Sequence, residues 1–224
     1  MERRGLLFVV SAPSGAGKTT LCKELVARVP GLRHSISYTT RPPRPGEVNG
    51  REYYFVDERV FQEMVDRKEF AEYACVYGQF YGTPRAVLNE MIEKGVDVLL
   101  EIDVQGAMQI KKTFADGIFV YILPPSIESL RERLLQRASE APEEINRRLQ
   151  KAREEVWSYR EYYYIVRNED KDQAIRELEA IVLAERIKTK RLDIGWLEEN
   201  FIREREDKQS DRVGTVTTQR GMDR

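Results

Sequence analysis

Leu6-Leu7-Phe8-Val9-Val10-Ser11-Ala12-Pro13-Ser14-Gly15-Ala16-Gly17-Lys18-Thr19 is the stretch that decides how this chain folds. Its first five residues are a continuous apolar run with β-branched and aromatic members, bounded by Gly5 and Pro13, as in a strand buried on both faces. From Lys18 to Val29 the apolar Leu21, Cys22, Leu25, Val26 and Val29 recur at helical spacing, and Pro30-Gly31 ends the run. Between the two, Ala12 to Thr19 matches the phosphate-loop pattern G-x-x-x-x-G-K-S/T at every fixed position but the first, where alanine replaces glycine. A strand entering and a helix leaving such a loop aim backbone N–H groups and a helix N-terminus at one anion. Lys18 is then expected to reach the β- and γ-phosphates of a nucleoside triphosphate, with the Thr19 hydroxyl on the Mg2+ that bridges them. The plainer reading, a strand-turn-helix with an exposed lysine, is disfavoured by this context.

Outward from the loop, the chain reads as alternating strands and helices. Asp97 to Ile102 and Phe119 to Leu123 are further buried strands, Tyr162 to Val166 a last one, and Asp172 to Ile187 a last helix, so a parallel α/β sheet is expected. Arg41-Pro42-Pro43-Arg44-Pro45-Gly46 breaks the regular pattern with turns. Around it, Arg51 to Val56 is strand-like, Glu58 to Lys68 a short helix, Phe70 to Phe80 one extended aromatic stretch, and Pro84 to Lys94 another helix. Residues 37–84 therefore read as an inserted α+β lobe. Ser126 caps a charged helix to about Ala138, and Glu143 to Val156 forms a second one after a polar break, together a helical lid over 126–156. Core segments 1–36, 85–125 and 157–190 complete a domain over 1–190. Residues 191–224 form an extension, disordered towards its end, in which Trp196, Leu197, Phe201 and Ile202 could line one face of a helix docked on the core or meeting a partner; docking is preferred.

Bulk composition excludes several function classes. Lysine plus arginine number 37 against 38 acidic residues, so nucleic-acid coating is not expected. Cys22 and Cys75 are the two cysteines, without zinc-ligand spacing, and suit a reducing compartment. The run after Arg3-Arg4 is too short for a signal-peptide core, and no segment approaches a membrane span, so a cytoplasmic protein is expected. The lone His34 reads as structural.

The loop names a phosphate binder but leaves the acceptor open. Ser37-Tyr38-Thr39-Thr40-Arg41-Pro42-Pro43-Arg44-Pro45-Gly46-Glu47-Val48-Asn49-Gly50-Arg51-Glu52-Tyr53 sets two arginines three apart in a proline-bounded loop, which suits a phosphate clamp, although arginines beside prolines are often only solvated. With Phe70-Ala71-Glu72-Tyr73-Ala74, Tyr81-Gly82-Thr83-Pro84, Glu101-Ile102-Asp103-Val104-Gln105-Gly106, the Arg133/Arg137 pair, Arg148 and Asn168, the run from Leu6 to about Ile187 resembles guanylate kinases.

That resemblance implies a P-loop three-layer α/β fold with a parallel central sheet, an inserted GMP-binding lobe and a helical lid, and transfer of the γ-phosphoryl of ATP to GMP. Ser37, Arg41, Arg44, Tyr53, Glu72, Tyr81, Thr83 and Asp103 would bind GMP: Arg41, Arg44, Tyr53 and Tyr81 at its phosphate, Glu72 and Asp103 at N1–H and N2 of guanine, Ser37 and Thr83 at O6. Ala12, Pro13, Ser14, Gly15, Ala16, Gly17, Lys18, Thr19, Thr20, Arg133, Arg137 and Asn168 would bind ATP, and Lys18, Arg44, Arg137 and Arg148 would assist transfer. Arg147 leaves a one-residue ambiguity beside Arg148, and Arg167 departs from the small apolar residue expected before Asn168. Mg2+ would enter with ATP at Thr19, and Glu101 or Asp103 could orient its waters. Each assignment has a bland counterpart: Asp103 as a helix cap, Tyr53 and Tyr81 as packing, and the lid arginines paired with Glu128 or Glu132. The alternatives are a non-catalytic guanylate-kinase-like module binding phosphopeptides and a nucleoside monophosphate kinase for another base. Oligomeric state, monomer or homo-oligomer, is left undecided.

Overall fold

The computed structural model describes residues 3–136 and 142–202. In chain order its regular elements begin with β1 (Leu7–Ser11), α1 (Lys18–Arg28), β2 (Leu32–His34), β3 (Tyr38–Thr39), β4 (Tyr54–Phe55), α2 (Glu58–Asp66), β5 (Phe70–Val76) and β6 (Gln79–Pro84). They continue with α3 (Arg85–Glu93), β7 (Asp97–Glu101), α4 (Val104–Thr113), β8 (Ile118–Leu123), α5 (Ile127–Gln136), α6 (Pro142–Val156), β9 (Tyr164–Arg167) and α7 (Lys171–Arg186). Residues 4–185 form one compact unit.

The central sheet of that unit is parallel throughout, in the order β2-β7-β1-β8-β9. Alternation along β1 explains why its sequence is unbroken apolar. Phe8 and Val10 join Leu21 and Leu25 of α1 and Ile175, Leu178 and Val182 of α7 on one face, while Leu7 and Val9 join Leu88 and Ile92 of α3 and Ile110 of α4 on the other. Burying each such side chain stabilises the fold by roughly 1.5–3 kcal/mol, so β1 anchors the phosphate loop that follows it. Asp97, fully buried at the start of β7, accepts the Leu6 N–H at 2.8 Å and ties the two strands at their other end.

The inserted lobe holds a second sheet, β4-β3-β6-β5, packed on α2 through Phe61, Met64 and Phe70. Asp57 caps α2 by accepting the Val60 N–H. The lid helices α5 and α6 bury Leu130, Leu134, Ile145, Leu149 and Ala152 against each other. Beyond this unit, Asp193 caps a short helix at Ile194–Leu197, and the Trp196 and Phe201 rings lie 5.4 Å apart.

Three departures from the sequence reading have clear causes. The stretch from Phe70 to Phe80 is a hairpin, β5 and β6 joined at Tyr77-Gly78, whose turn lacks the Asn-Gly or Asp-Gly signature of such connections. The edge strand β2 escaped because Leu-Arg-His has no apolar run to read. Strand character in 51–56 is confined to β4, since Arg51 and Glu52 turn back onto Val48. Among the described residues no helix is long and apolar enough to cross a membrane.

Candidate active site

The phosphate loop lies at the C-terminal end of β1, where the parallel strands and the N-terminus of α1 converge. Gly15 and Gly17 take φ of +88° and +92°, which side chains with a Cβ rarely adopt. A Cβ on Gly15 would also press on Leu130 and Leu134 of the lid, and one on Gly17 would collide with Asn168. Ala12 is buried and takes no positive φ, so the first loop position does not require glycine here. The Pro13 carbonyl accepts the Ala16 N–H at 3.1 Å and closes the turn, with Ser14 half-exposed between them.

Lys18 and Thr19 are turned towards the end of β7. Lys18 Nζ donates to the Ile102 carbonyl at 2.8 Å, and Thr19 Oγ1 donates to Glu101 Oε1. Glu101 and Thr19 thus present hard oxygen donors beside the loop, the donor set that Mg2+ uses when it arrives with nucleotide phosphates. Among the described residues no group of three or more His, Cys, Asp or Glu could hold a metal by itself.

Asn168, at the end of β9, is buried and donates from Nδ2 to the Ala16 carbonyl at 2.7 Å. Arg133 of α5 donates to the same carbonyl at 3.2 Å and to the Asn168 carbonyl at 2.9 Å. These bonds border a cavity of about 370 Å³ lined by Gly15, Gly17, Thr20, Arg133, Asn168 and Lys171. Arg133 is therefore a strut across the loop rather than a solvated partner of Glu128 or Glu132. Arg137 lies outside the described residues.

On the facing side, the inserted lobe gathers a polar constellation. Glu72 of β5 is 3% exposed, and its Oε1 accepts from Thr83 Oγ1 of β6 at 2.5 Å. Ser37 Oγ lies 3.4 Å from Thr83 Oγ1. Asp103 caps α4 by accepting the Gly106 N–H at 2.9 Å, so the capping role anticipated for it is real. Glu72 and Asp103 flank Gly106, where a Cβ would collide with Glu72. Burial pushes the Glu72 carboxyl up to about 7, and nearby Asp103 adds to this, while the Thr83 hydrogen bonds hold it down.

The proline-bounded loop is organised by a residue that the sequence reading passed over. Glu47 accepts from Arg41 Nη2 through both oxygens at 2.9 Å and from the Arg44 N–H at 2.7 Å. Burial alone would raise the Glu47 carboxyl, yet the Arg44 amide and the Arg41 guanidinium bring it below its ordinary range. Arg41 sits 5.5 Å from the Tyr53 ring centroid, and Tyr53 meets Tyr81 edge-on at 5.9 Å. The Arg44 side chain is exposed. An acidic residue six positions after an expected phosphate-binding arginine was the available signal for Glu47.

In the lid, Arg148 lies 4.9 Å and Arg147 5.5 Å from the ring centroid of Tyr77, so the two stand on one partner. The structure brings Lys18, Thr19, Arg133 and Asn168 together around the loop, and Ser37, Glu72, Thr83 and Asp103 into a second polar cluster. Arg41, Tyr53 and Tyr81 adjoin one another.

Comparison with known proteins decides the family: the profile described as Guanylate kinase matches residues 4–185. The chain belongs to the guanylate kinase family. A guanylate kinase of Geobacter sulfurreducens is 49% identical over 192 residues, covering 86% of this chain and 95% of that protein. One from Carboxydothermus hydrogenoformans is 48% identical over 202 residues, covering 90% and 99%. The crystal structure of guanylate kinase from Anaplasma phagocytophilum superposes with a TM-score of 0.76 at 34% identity, covering 89% of this chain and 97% of that one. The guanylate kinase match extends over the loop, the inserted lobe and the lid alike.

Proposed function

We infer that this chain is an ATP-dependent guanylate kinase that moves the γ-phosphoryl group of ATP to the phosphate of GMP, giving ADP and GDP, within purine nucleotide metabolism. The observation that carries the acceptor is the polar constellation of buried Glu72 and Thr83 with half-buried Ser37 and Asp103. Guanine offers donors at N1 and N2 and an acceptor at O6; the carboxylates accept from the former and the hydroxyls donate to the latter. Adenine reverses the pattern at N1 and C6 and would leave a buried carboxylate unpaired, a loss that supports discrimination by orders of magnitude.

The donor side follows from the loop. Backbone N–H groups after Ala12 and the start of α1 hold the β-phosphate, and Lys18 leaves Ile102 to meet the transferring group. Thr19 and Glu101 are the residues that would hold Mg2+, directly or through its waters, and the ion when bound neutralises charge between the β- and γ-phosphates. Asn168, Arg133 and Thr20 border the space for the donor nucleoside. Arg41, Arg44, Tyr53 and Tyr81 hold the GMP phosphate, whose oxygen is already anionic and attacks in line without a strong general base. Arg137 and Arg148 of the lid stabilise the moving charge and exclude water that would otherwise hydrolyse ATP. The intact loop with Lys18 and Thr19 favours this over a non-catalytic phosphopeptide-binding module. Action in the cytoplasm accords with free ATP and GMP as substrates.

A coupled assay of ADP formation tests the reading. Turnover with ATP and GMP is expected, with AMP, CMP and UMP slower by about 10³-fold or more. No ADP with GMP, or equal turnover with AMP, overturns it.

A further inference from the structure

The tip of the β5–β6 hairpin carries a residue that its backbone disfavours. Tyr77 and Gly78 take φ of +51° and +76°, and the Val76 and Gln79 pair closes the strands around them. Positive φ at both central positions is the geometry of a type I′ turn, for which asparagine and glycine are the comfortable first residues. A bulky aromatic in the left-handed region is strained, and such strain persists only where surrounding structure sustains it.

What surrounds the ring is the lid. Lys151 Nζ lies 4.8 Å from the Tyr77 centroid, with Arg148 at 4.9 Å and Arg147 at 5.5 Å. Positions 147, 148 and 151 share one face of α6. Three cations crowded there repel one another, and the electron-rich face of a phenol ring offsets part of that repulsion. Among the described residues the Tyr77 hydroxyl is buried without a hydrogen-bond partner, so the ring and not the hydroxyl makes the contact. Lys151 in turn pairs with Glu155 at 3.5 Å, one turn along α6. The same β5 strand carries Glu72, so the hairpin that reads the acceptor base also touches the helix that carries Arg148.

We propose that Tyr77 is a positioning residue that couples the acceptor lobe to the lid, its ring seating the basic face of α6 so that Arg148 is delivered to the phosphates when the lobe takes its substrate. The proposal rests on the phosphoryl-transfer reading above and adds to it a link between acceptor binding and lid placement. A link of this kind acts on the transfer step and leaves each nucleotide's own contacts intact, so it separates kcat from KM.

Steady-state kinetics and thermal unfolding of Tyr77→Phe and Tyr77→Asn test it. Phenylalanine keeps the ring, and kcat is expected to stay within about twofold of the parent. Asparagine suits the turn, so Tm is expected to hold or rise while kcat falls about tenfold and both KM values stay within about twofold. Parental kcat in Tyr77→Asn, or an equal loss in Tyr77→Phe, overturns the proposal. A double-mutant cycle of Tyr77→Asn with Lys151→Met keeps the test decisive even if Tm falls. Strong non-additivity in kcat is expected, and additive losses overturn the coupling. Failure of the parent protein to form ADP from ATP and GMP would instead strike the functional reading itself.

Discussion

Thr83 Oγ1 donates to Glu72 Oε1 at 2.5 Å across the β5–β6 pair, and the carboxyl it meets is almost wholly buried. The hydroxyl is the main group holding down a carboxyl that burial and Asp103 push up to about 7. Before guanine arrives, this carboxyl is therefore close to half-protonated at neutral pH. In the proposed role of Glu72, accepting guanine N1–H and the N2 amino group together calls on both carboxylate oxygens, which the ionised form alone offers, so recognition of the base and loss of a proton would be linked.

The sign of that linkage fixes a pH prediction. Below about pH 7 the KM for GMP is expected to rise, approaching tenfold per unit, while the KM for ATP stays flat. The phosphate of GMP itself titrates near 6, so Glu72→Gln is the control, with a higher KM and a shallower pH profile. Stability moves the opposite way. A carboxyl raised from 4.5 to about 7 contributes stability fully present below pH 4.5 and lost as pH rises through 7. Ligand-free Glu72→Gln should thus unfold with a smaller decline in stability between pH 4.5 and 8 than the parent, by on the order of 3 kcal/mol at most. Identical parental and variant profiles in urea titrations would remove Glu72 as the titrating group.

Lys18 gives a sharper separation of fold from chemistry. Its ammonium rests on the Ile102 carbonyl and is half-exposed, so Lys18→Ala should leave Tm within a few degrees of the parent. Loss of the charge proposed to meet the γ-phosphoryl should lower kcat by about 10³-fold, with calorimetric affinity for GMP unchanged. Retained turnover would remove Lys18 from the transfer step.

Glu47 is expected to act through Arg41 and the Arg44 amide, which it holds in one loop conformation. Glu47→Gln retains an acceptor but loses the charge-assisted pairing, so the loop must be ordered again each time a phosphate binds. The KM for GMP should rise about tenfold with little change for ATP. An equal rise for both nucleotides would place Glu47 in general stability instead.

How much was legible in the sequence depended on whether a residue's role was local. The strand, loop and helix around Lys18 could be read because period, turn residues and motif lie within a single run of chain. Glu72, Thr83 and Ser37 were nameable by resemblance, but their mutual hydrogen bonds depend on β3, β5 and β6 pairing, which no local pattern states. The hairpin at Tyr77 was hidden because its turn carries an aromatic where asparagine is usual, and its partners come from α6, seventy or more residues away. Glu47 was hidden for a different reason: its spacing six residues after Arg41 was the one signal, and among so many charged residues that spacing alone does not stand out.

The loop's departure from its general pattern yields the last prediction, in two opposed substitutions. Ala12 is buried in the core and takes no positive φ, so Ala12→Gly gains no conformational access and loosens the unfolded chain. It should cost about 0.5–1 kcal/mol of stability and leave kcat/KM for ATP within about twofold. Gly17 is the reverse case, with φ of +92° and no room for a Cβ beside Asn168. Gly17→Ala must either twist the start of α1 or push Asn168 off the Ala16 carbonyl, and both deform the donor site. Its kcat/KM for ATP should fall at least about tenfold, with a smaller change in the KM for GMP. Enhanced ATP turnover in Ala12→Gly would mean that the first loop position needs a backbone freedom that alanine denies it, and that the loop adopts another conformation once phosphate is bound.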